Sequence, residues 1–307
     1  MTSTHVTDEV RTWLLDSDPA IRWQVMRDLT ESSADEIGAE RARVAVEGWG
    51  RRLLDLQAEE GNWGGGSYTP KWTSTTYTLL LLRHFGIDPT NPTVTRAVDR
   101  VRQNVTIGNA KWPFFSYRSE TCVTGLVLTV ASYFVGGGED GETVVDFLLG
   151  EQLEDGGWNC ATARGSTRAS FNTTILALEG LLEYEQTTGE DPTIRRARER
   201  GHEYLLDRHL FRSLHTGEVI SERWKLFSFP PRWHYDVLRG LEYLTDAGVK
   251  LDDRADEALA LVESKRRSDG RWPLQNPHAG EEHFQMEDGA GKPSRWNTLR
   301  ALRVLRS

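Results

Sequence analysis

The sequence predicts an all-α protein, an (α/α)6 toroid in which inner and outer helices alternate around a barrel. The first observation is a turn motif, Gln-x-x-x-Gly-x-Trp, which occurs at residues 57–63 and 152–158. A third copy at residues 266–272 keeps Gly270 and Trp272 but begins with Arg266. The second observation is a basic residue followed by Trp at the start of four apolar runs, at positions 22, 71, 232 and 295. Repeats of this kind indicate stacked helical units.

The Gly-Trp turn has a simple physical interpretation. Each copy follows a helical stretch, where Gly permits the positive φ that ends a helix. The Trp ring can then pack back over the helix end, and the Gln amide can reach backbone groups that the helix leaves free. We therefore expect Trp63, Trp158 and Trp272 to be structural residues.

Six units follow from pairing each outer helix, polar on one face, with the apolar run behind it. The inner members begin near residues 19, 73, 121, 171, 234 and 296, and the first unit, residues 6–15 and 19–29, is short. All six belong to one predicted domain, residues 1–307. The connections into the inner helices include long loops at residues 210–231 and 268–294, and long loops in compact domains are usually functional. They share the end of the barrel where inner helices begin, here called the mouth.

Charge and composition exclude several classes of protein. With 46 acidic and 37 basic residues the chain carries a net charge of −9, so no nucleic-acid partner is expected. No apolar run approaches the roughly 20 residues of a membrane span. The two cysteines, Cys122 and Cys160, provide no disulfide framework and favour a reducing, cytoplasmic location.

The two complete Gly-Trp turns and the paired helices resemble the squalene and oxidosqualene cyclases over residues 41–307. These enzymes belong to the superfamily of terpenoid cyclases and protein prenyltransferases. The resemblance implies a toroid with a central cavity and an isoprenoid or other amphiphilic substrate. In that family the turn motifs mark the fold and carry no chemistry.

The catalytic motifs of the superfamily do not carry over. The Asp-x-Asp-Asp motif of the cyclases is absent. The segment that ends at Asn297 is similar to one that supplies a zinc-binding His in prenyltransferases, but Asn stands at the His position. Glu120 and Cys122 form a shifted analogue of the family's Asp-x-Cys. Zinc is therefore considered but not favoured, and the cofactor stays unassigned.

The candidate catalytic residues form two clusters, each predicted in the first turn of an inner helix. His234, Tyr235 and Asp236 bring an imidazole, a phenol and a carboxylate together, and histidine transfers protons readily near neutral pH. Glu120 and Cys122 form the second cluster. Structural roles stay open for both, because a carboxylate can stabilise a helix N-terminus and a thiol can fill a core.

The candidate substrate-binding residues also lie near the predicted mouth. Aromatic side chains suit an apolar or ring-bearing substrate, and basic side chains near helix N-termini suit an anionic group. The set comprises Trp72, Thr73, Tyr77, Phe115, Asn172, Arg232, Trp233, Arg295, Trp296 and Asn297. The threonine and the asparagines could instead cap their own helices, and the basic residues could pair with acidic loops.

Three functions remain open at this point. The first is an enzyme that isomerises, eliminates from or cyclises an amphiphilic small molecule by acid/base chemistry at the mouth. The second is a binding or scaffold protein that keeps the toroid without its chemistry, which the missing motifs favour. The third is a carbohydrate-active enzyme, which would need two carboxylates across the cavity. Glu120 and Asp236 are the obvious pair for that role.

Overall fold

The computed structural model describes residues 6–306, apart from the side chain of Glu139. The helices are α1 Asp8–Leu15, α2 Pro19–Leu29, α3 Ala34–Arg43, α4 Gly48–Asp55, α5 Thr75–His84, α6 Pro92–Asn104, α7 Thr121–Val135, α8 Gly138–Gly150, α9 Phe171–Thr188, α10 Pro192–Leu206, α11 Val237–Asp246, α12 Asp256–Ser264 and α13 Arg295–Val304. Residues 1–5 and 307 of the predicted domain lie outside the described residues.

The all-α prediction is confirmed. Among residues 6–306, the only strands are β1 Thr106–Ile107 and β2 Trp112–Pro113, which form one short antiparallel hairpin. None of the helices in this range combines the length and the apolar character of a membrane span. Buried apolar side chains from α1 to α13 form one contiguous core.

The predicted inner helices contact one another in chain order. Helix α5 packs on α7, α7 on α9, α9 on α11, and α11 on α13, which in turn contacts α2. Helix α2 also contacts the C-terminal end of α5, where the Trp23 indole donates to the carbonyl of Phe85 at 2.8 Å and Gln24 donates to the carbonyl of His84. The toroid itself stays a prediction.

The Gly-Trp turns repeat the same hydrogen bonds three times. The indole Nε1 of each Trp donates, at 2.7 Å, to a carbonyl in the preceding outer helix, ten residues earlier in the chain. The backbone N–H of each Trp donates to a Thr hydroxyl in the inner helix that follows. All three rings are fully buried, in keeping with a structural role: Trp63, Trp158 and Trp272.

The Gln residues of the two complete motifs tie each turn to the next outer helix. Gln57 donates to the carbonyls of Gly61 and Ala97, and Gln152 repeats this with Gly156 and Ala197. Gly61 has a φ of 91°, and a Cβ there would lie 2.7 Å from a carbonyl oxygen of α6. Only glycine allows this approach, because both the backbone angle and the space exclude a side chain.

Ion pairs join the inner helices where the sequence predicts mostly apolar faces. Arg239 and Arg300 are each only 3 % exposed, so their charges must be paired inside the protein. The pairs are Arg83 with Glu183 at 2.5 Å, Arg239 with Glu179 at 2.6 Å, Arg300 with Glu242 at 2.6 Å, and Arg303 with Asp28 at 2.5 Å. The space between these helices is therefore partly filled by charged side chains, unlike an apolar substrate cavity.

Candidate functional site

Two loops fold over the start of α5 at the mouth. The loop that precedes α13 runs back to Trp72, whose backbone N–H donates to the carbonyl of Glu281 at 2.9 Å. The Trp72 indole donates to the carbonyl of Ala279 at 3.0 Å. The loop that precedes α11 adds Arg232, which pairs with Glu282 at 2.7 Å. Three segments distant in sequence thereby meet at one place.

Six rings from these segments form a continuous set, here called the mouth cluster: Tyr68, Trp72, Tyr77, Trp233, His234 and His278. Trp72 is central, with its ring centroid 4.9 Å from Tyr77 and 6.1 Å from each imidazole. His234 stacks on Trp233 at 3.7 Å and on His278 at 4.0 Å. Such a set of flat faces suits a ring-bearing or apolar ligand.

Two cations lie against this cluster. The Lys71 ammonium is 5.0 Å from the Tyr68 ring centroid and 5.4 Å from that of Trp233. Within residues 6–306 it forms no salt bridge. The Arg232 guanidinium lies 5.3 Å from the Trp72 ring and is almost fully buried. Arg232 also has a φ of 58°, a backbone conformation that is uncommon for residues with a Cβ.

The two histidines of the cluster are neutral at physiological pH. Burial lowers the pKa of His234 to about 4, and the nearby charges of Arg239 and Lys71 act in the same direction. Burial likewise lowers the pKa of His278 to about 3, assisted by His234 and Arg232. Both imidazoles therefore lack the second proton at neutral pH, and each has one N–H donor and one acceptor nitrogen.

One imidazole nitrogen and one indole nitrogen of the cluster have free hydrogen-bonding capacity. Neither Nε2 of His278 nor Nε1 of Trp233 has a hydrogen-bond partner in the part of the chain that the structure describes, although both atoms are buried. In the tautomer of His278 that carries its proton on Nδ1, the unpartnered Nε2 is an acceptor. Buried polar atoms without partners are rare enough to require an explanation.

The second predicted cluster, Glu120 and Cys122, lies near Tyr68 of the mouth cluster. Burial raises the pKa of Tyr68 to about 12, and Cys122, Glu120 and Cys160 lie close enough to raise it further. Tyr68 in turn contacts Tyr77, with ring centroids 5.5 Å apart. Glu120 is exposed, and the described structure shows no contact between it and His234. The two clusters thus share the mouth, but aromatic rings link them rather than a direct acid/base contact.

Three of the predicted residues have structural contacts beside the cluster. Helix α11 begins at Val237, three residues later than predicted, because the Asp236 carboxylate caps it by accepting from the N–H of Arg239. Asp236 also accepts from the Ser228 hydroxyl at 2.9 Å. The Tyr235 hydroxyl donates to the carbonyl of Leu210, while the Asn172 side chain accepts from the N–H of Tyr235. His234 therefore lies in the loop before α11 and not in its first turn.

The remaining predicted residues show contacts outside the mouth cluster, apart from Thr73, which follows Trp72. Phe115 packs on Phe114 in the core, and Trp296 stacks on Phe229 at 4.2 Å. Arg295 donates to two carbonyls next to α1. Thr73 is buried and accepts from Thr78, and Asn297 donates to the carbonyl of Pro273. Some of the predicted binding residues thus contact one another in the mouth cluster, and the others have structural contacts elsewhere.

Sequence reasoning missed His278 and His283, which the loop before α13 brings to the mouth. His283 bonds to the Thr78 hydroxyl at 2.8 Å. The length of that loop indicated a functional segment, but its histidines were not among the predicted site residues. For a metal, no group of three or more His, Cys, Asp or Glu side chains within residues 6–306 has a suitable arrangement.

A cavity of about 440 Å³ lies away from the mouth, at the C-terminal ends of α7 and α9. Its lining includes Tyr133, Phe134 and Glu183. Glu183 already pairs with Arg83, so the cavity offers little free charge for recognition or proton transfer. The chemistry-bearing side chains gather at the mouth, which makes the mouth cluster the stronger candidate site.

Comparisons with known proteins add little to this description. No protein-family model and no curated protein matches the sequence. Among solved structures, the crystal structure of a protein from Actinoplanes is similar over 94 % of this chain and 90 % of that one, with 19 % identity and a TM-score of 0.45. A similarity at this level carries no argument about function.

Proposed function

We propose that this protein is an enzyme that binds an amphiphilic small molecule with an anionic group at the mouth cluster and acts on it by proton transfer. The observation that carries the proposal is the convergence of six rings, two cations and two unpartnered buried nitrogen atoms at one place. A structural core has no use for this combination, because each unpartnered polar atom costs free energy in the folded protein.

Each part of the ligand has a counterpart in the cluster. The faces of Trp72 and Trp233 suit an apolar chain or a ring, and Lys71 lies over both indoles with no acidic partner in the described range. An anionic group of the ligand beside Lys71 would form an ion pair with its ammonium. The Trp233 N–H is a donor for the same anion or for a polar substituent.

The proton acceptor in this proposal is His278. Its Nε2 is an acceptor with no partner among residues 6–306, and its low pKa keeps it free of a proton at neutral pH. His234 stacks against it at 4.0 Å and holds its ring in place. A base with so low a pKa needs an acidic substrate proton, such as one next to a carbocation centre. Isomerisation, elimination and cyclisation of an isoprenoid all include such a step.

Binding is tested by isothermal titration calorimetry with farnesyl diphosphate and 2-naphthoate as probes, and with farnesol and 2-naphthalenemethanol as their uncharged counterparts. We expect at least one anionic probe to bind about tenfold more tightly than its counterpart, since one recognised charge is worth on the order of 1.4 kcal/mol. Lys71→Gln should remove this preference. Lys250→Gln is the matched control, because Lys250 is exposed beyond the C-terminal end of α11.

Catalysis is tested separately with farnesyl diphosphate, whose ionisation can supply the cationic centre, by incubation in D2O and detection of deuterium incorporation by mass spectrometry. We expect incorporation by the wild type and its loss in His278→Gln, with binding retained. Equal affinities of charged and uncharged probes would contradict the proposed site. Binding without any incorporation would contradict the catalytic role.

The second candidate is a binding protein or scaffold without chemistry. The observation that favours it is the set of ion pairs between the inner helices, which fills space that a cyclase would need for its substrate. A probe bound at the mouth and recovered unchanged would support this candidate.

A further inference from the structure

The two cysteines of the chain belong to neighbouring inner helices. Cys122 lies in the first turn of α7. Cys160 follows Trp158 in the loop before α9, and its backbone N–H donates to the Thr173 hydroxyl in the first turn of α9 at 3.3 Å. Both side chains are half-buried. Each cysteine is therefore held beside the first turn of one of two adjacent helices.

Helices α7 and α9 pack unusually closely just beyond these first turns. A Cβ on Gly125 would lie 2.5 Å from the carbonyl oxygen of Leu176, and one on Gly180 would lie 2.8 Å from that of Gly125. Such distances mean that the two backbones touch without side chains between them. One turn earlier on each helix stand Cys122 and Thr173, and Thr173 holds the backbone of Cys160, so the two cysteines are neighbours.

We propose that Cys122 and Cys160 form a reversible disulfide at the edge of the mouth cluster. They are 38 residues apart in the chain, and the close packing of two helices brings them together. The bond would fix the loop that follows Trp158 to the start of α7. The proposal does not depend on what the mouth cluster binds, since it requires only that the two cysteines are neighbours.

The oxidant in this step is a low-molecular-weight disulfide such as glutathione disulfide. Burial raises the pKa of the Cys122 thiol to about 12, so this thiol is protonated at neutral pH and Cys160 makes the first attack. The Cys160 thiolate bonds to one glutathione sulfur and releases the other as a thiolate. Cys122 then gives its proton to solvent, attacks the Cys160 sulfur and releases the second glutathione. Two protein thiols are oxidised, and one glutathione disulfide is reduced to two thiols.

The test is incubation of the intact wild-type chain with millimolar glutathione disulfide at mildly alkaline pH, followed by mass spectrometry under non-reducing conditions. We expect a loss of two hydrogens, no retained glutathione, and at least about tenfold less labelling by iodoacetamide in denaturant, because both sulfurs are consumed. Dithiothreitol should restore the labelling.

Two single variants separate the steps. Cys122→Ser should stop at a stable glutathione adduct on Cys160, and Cys160→Ser should take up glutathione much more slowly. Accumulation of the mixed disulfide in the wild type, with Cys122 still open to iodoacetamide, would overturn the proposal. So would disulfide-linked dimers as the main product. Because the decisive measurement uses the wild type, it does not depend on either variant folding normally.

Discussion

In the Gly-Trp turns each indole N–H donates to a backbone carbonyl, whereas in the mouth cluster the Trp233 indole has no partner among the described residues. The turns repeat one arrangement three times, with the same donor, acceptor and distance. The mouth is assembled from loops of different length, and no contact there is repeated. The contrast indicates that the repeated tryptophans are used for stability, while the indole N–H of Trp233 is available for binding. Four experiments test this contrast.

The largest effect on stability is expected for Trp158→Ala. Removal of this fully buried ring should lower the free energy of unfolding by about 3–5 kcal/mol, the usual cost of a large cavity. Trp233→Ala, at a half-buried ring, should cost well under half as much. Urea unfolding followed by circular dichroism measures both values. Equal losses would show that the mouth is as much a part of the stabilising core as the turn.

A smaller loss is expected for Gln152→Ala, which removes one hydrogen bond within the turn, to Gly156, and two to α10, with Ala197 and Arg200. The carbonyls of Gly156 and Ala197 would lose a donor, at a cost of about 1–3 kcal/mol. The exposed residue Gln186 provides the control, and Gln186→Ala should be neutral. If Gln152→Ala is also neutral in urea unfolding, the motif does not tie the units together.

The pH dependence of the free energy of unfolding should distinguish the mouth cluster, which contains two half-buried histidines, from the Gly-Trp turns. The folded pKa values of His234 and His278, about 4 and about 3, lie below the unfolded value of about 6.5. The unfolded chain therefore binds more protons in this window, so their contribution is complete above about pH 6.5 and is lost as the pH falls towards the folded values. Each histidine can contribute at most about 1.4 kcal/mol per pH unit to the slope of the unfolding free energy. The actual contribution is smaller, because both side chains are partly exposed.

The double variant His234→Gln/His278→Gln should thus reduce the slope of unfolding free energy against pH near pH 5 by about 1 kcal/mol per unit. Unfolding in urea at several pH values gives this slope. Gln152→Ala, which removes no titrating group, should leave it unchanged. A double variant with the wild-type slope would show that the two imidazoles are protonated normally in the folded protein.

The smallest effect on stability is expected for Lys71→Gln. Its ammonium forms no salt bridge within residues 6–306, so the free energy of unfolding should change by no more than about 0.5 kcal/mol. Thermal unfolding by calorimetry suffices to check this. A large loss would assign Lys71 a structural role over the Tyr68 and Trp233 rings, and would weaken its use as an anion-binding group.

The two regions also differ in how far the sequence predicts them. The turns could be predicted because a fixed spacing of Gln, Gly and Trp describes a local arrangement, which the hydrogen bonds of Trp63 and Trp158 confirm. At the mouth, Trp72, Trp233 and His234 were identified from their predicted place at the start of an inner helix. His278 was missed because its position depends on bonds between Trp72 and a loop some 200 residues away, and no periodicity reports such a contact.

The ion pairs of the inner helices were missed for a related reason. Arg239 and Glu179 are single charges within apolar runs, and each alone resembles a residue at the edge of a helix face. Their pairing at 2.6 Å requires knowledge of how α9 and α11 face each other. The late start of α11 has a local cause, since Asp236 is a good capping residue, and it could have been predicted from the sequence.

The third Gly-Trp turn has a consequence for how the chain folds during synthesis. Gly61 and Gly156 pack on the outer helix that comes next in the chain, but Gly270 packs on α1, where a Cβ would lie 3.0 Å from Val10. Arg271 and Arg295 also lie over the Trp13 ring of α1. The earlier turns can therefore be completed soon after they leave the ribosome. Helix α1 instead has to wait until the last turn, about 260 residues later, has been made, which gives this region the longest-range contacts and the slowest assembly.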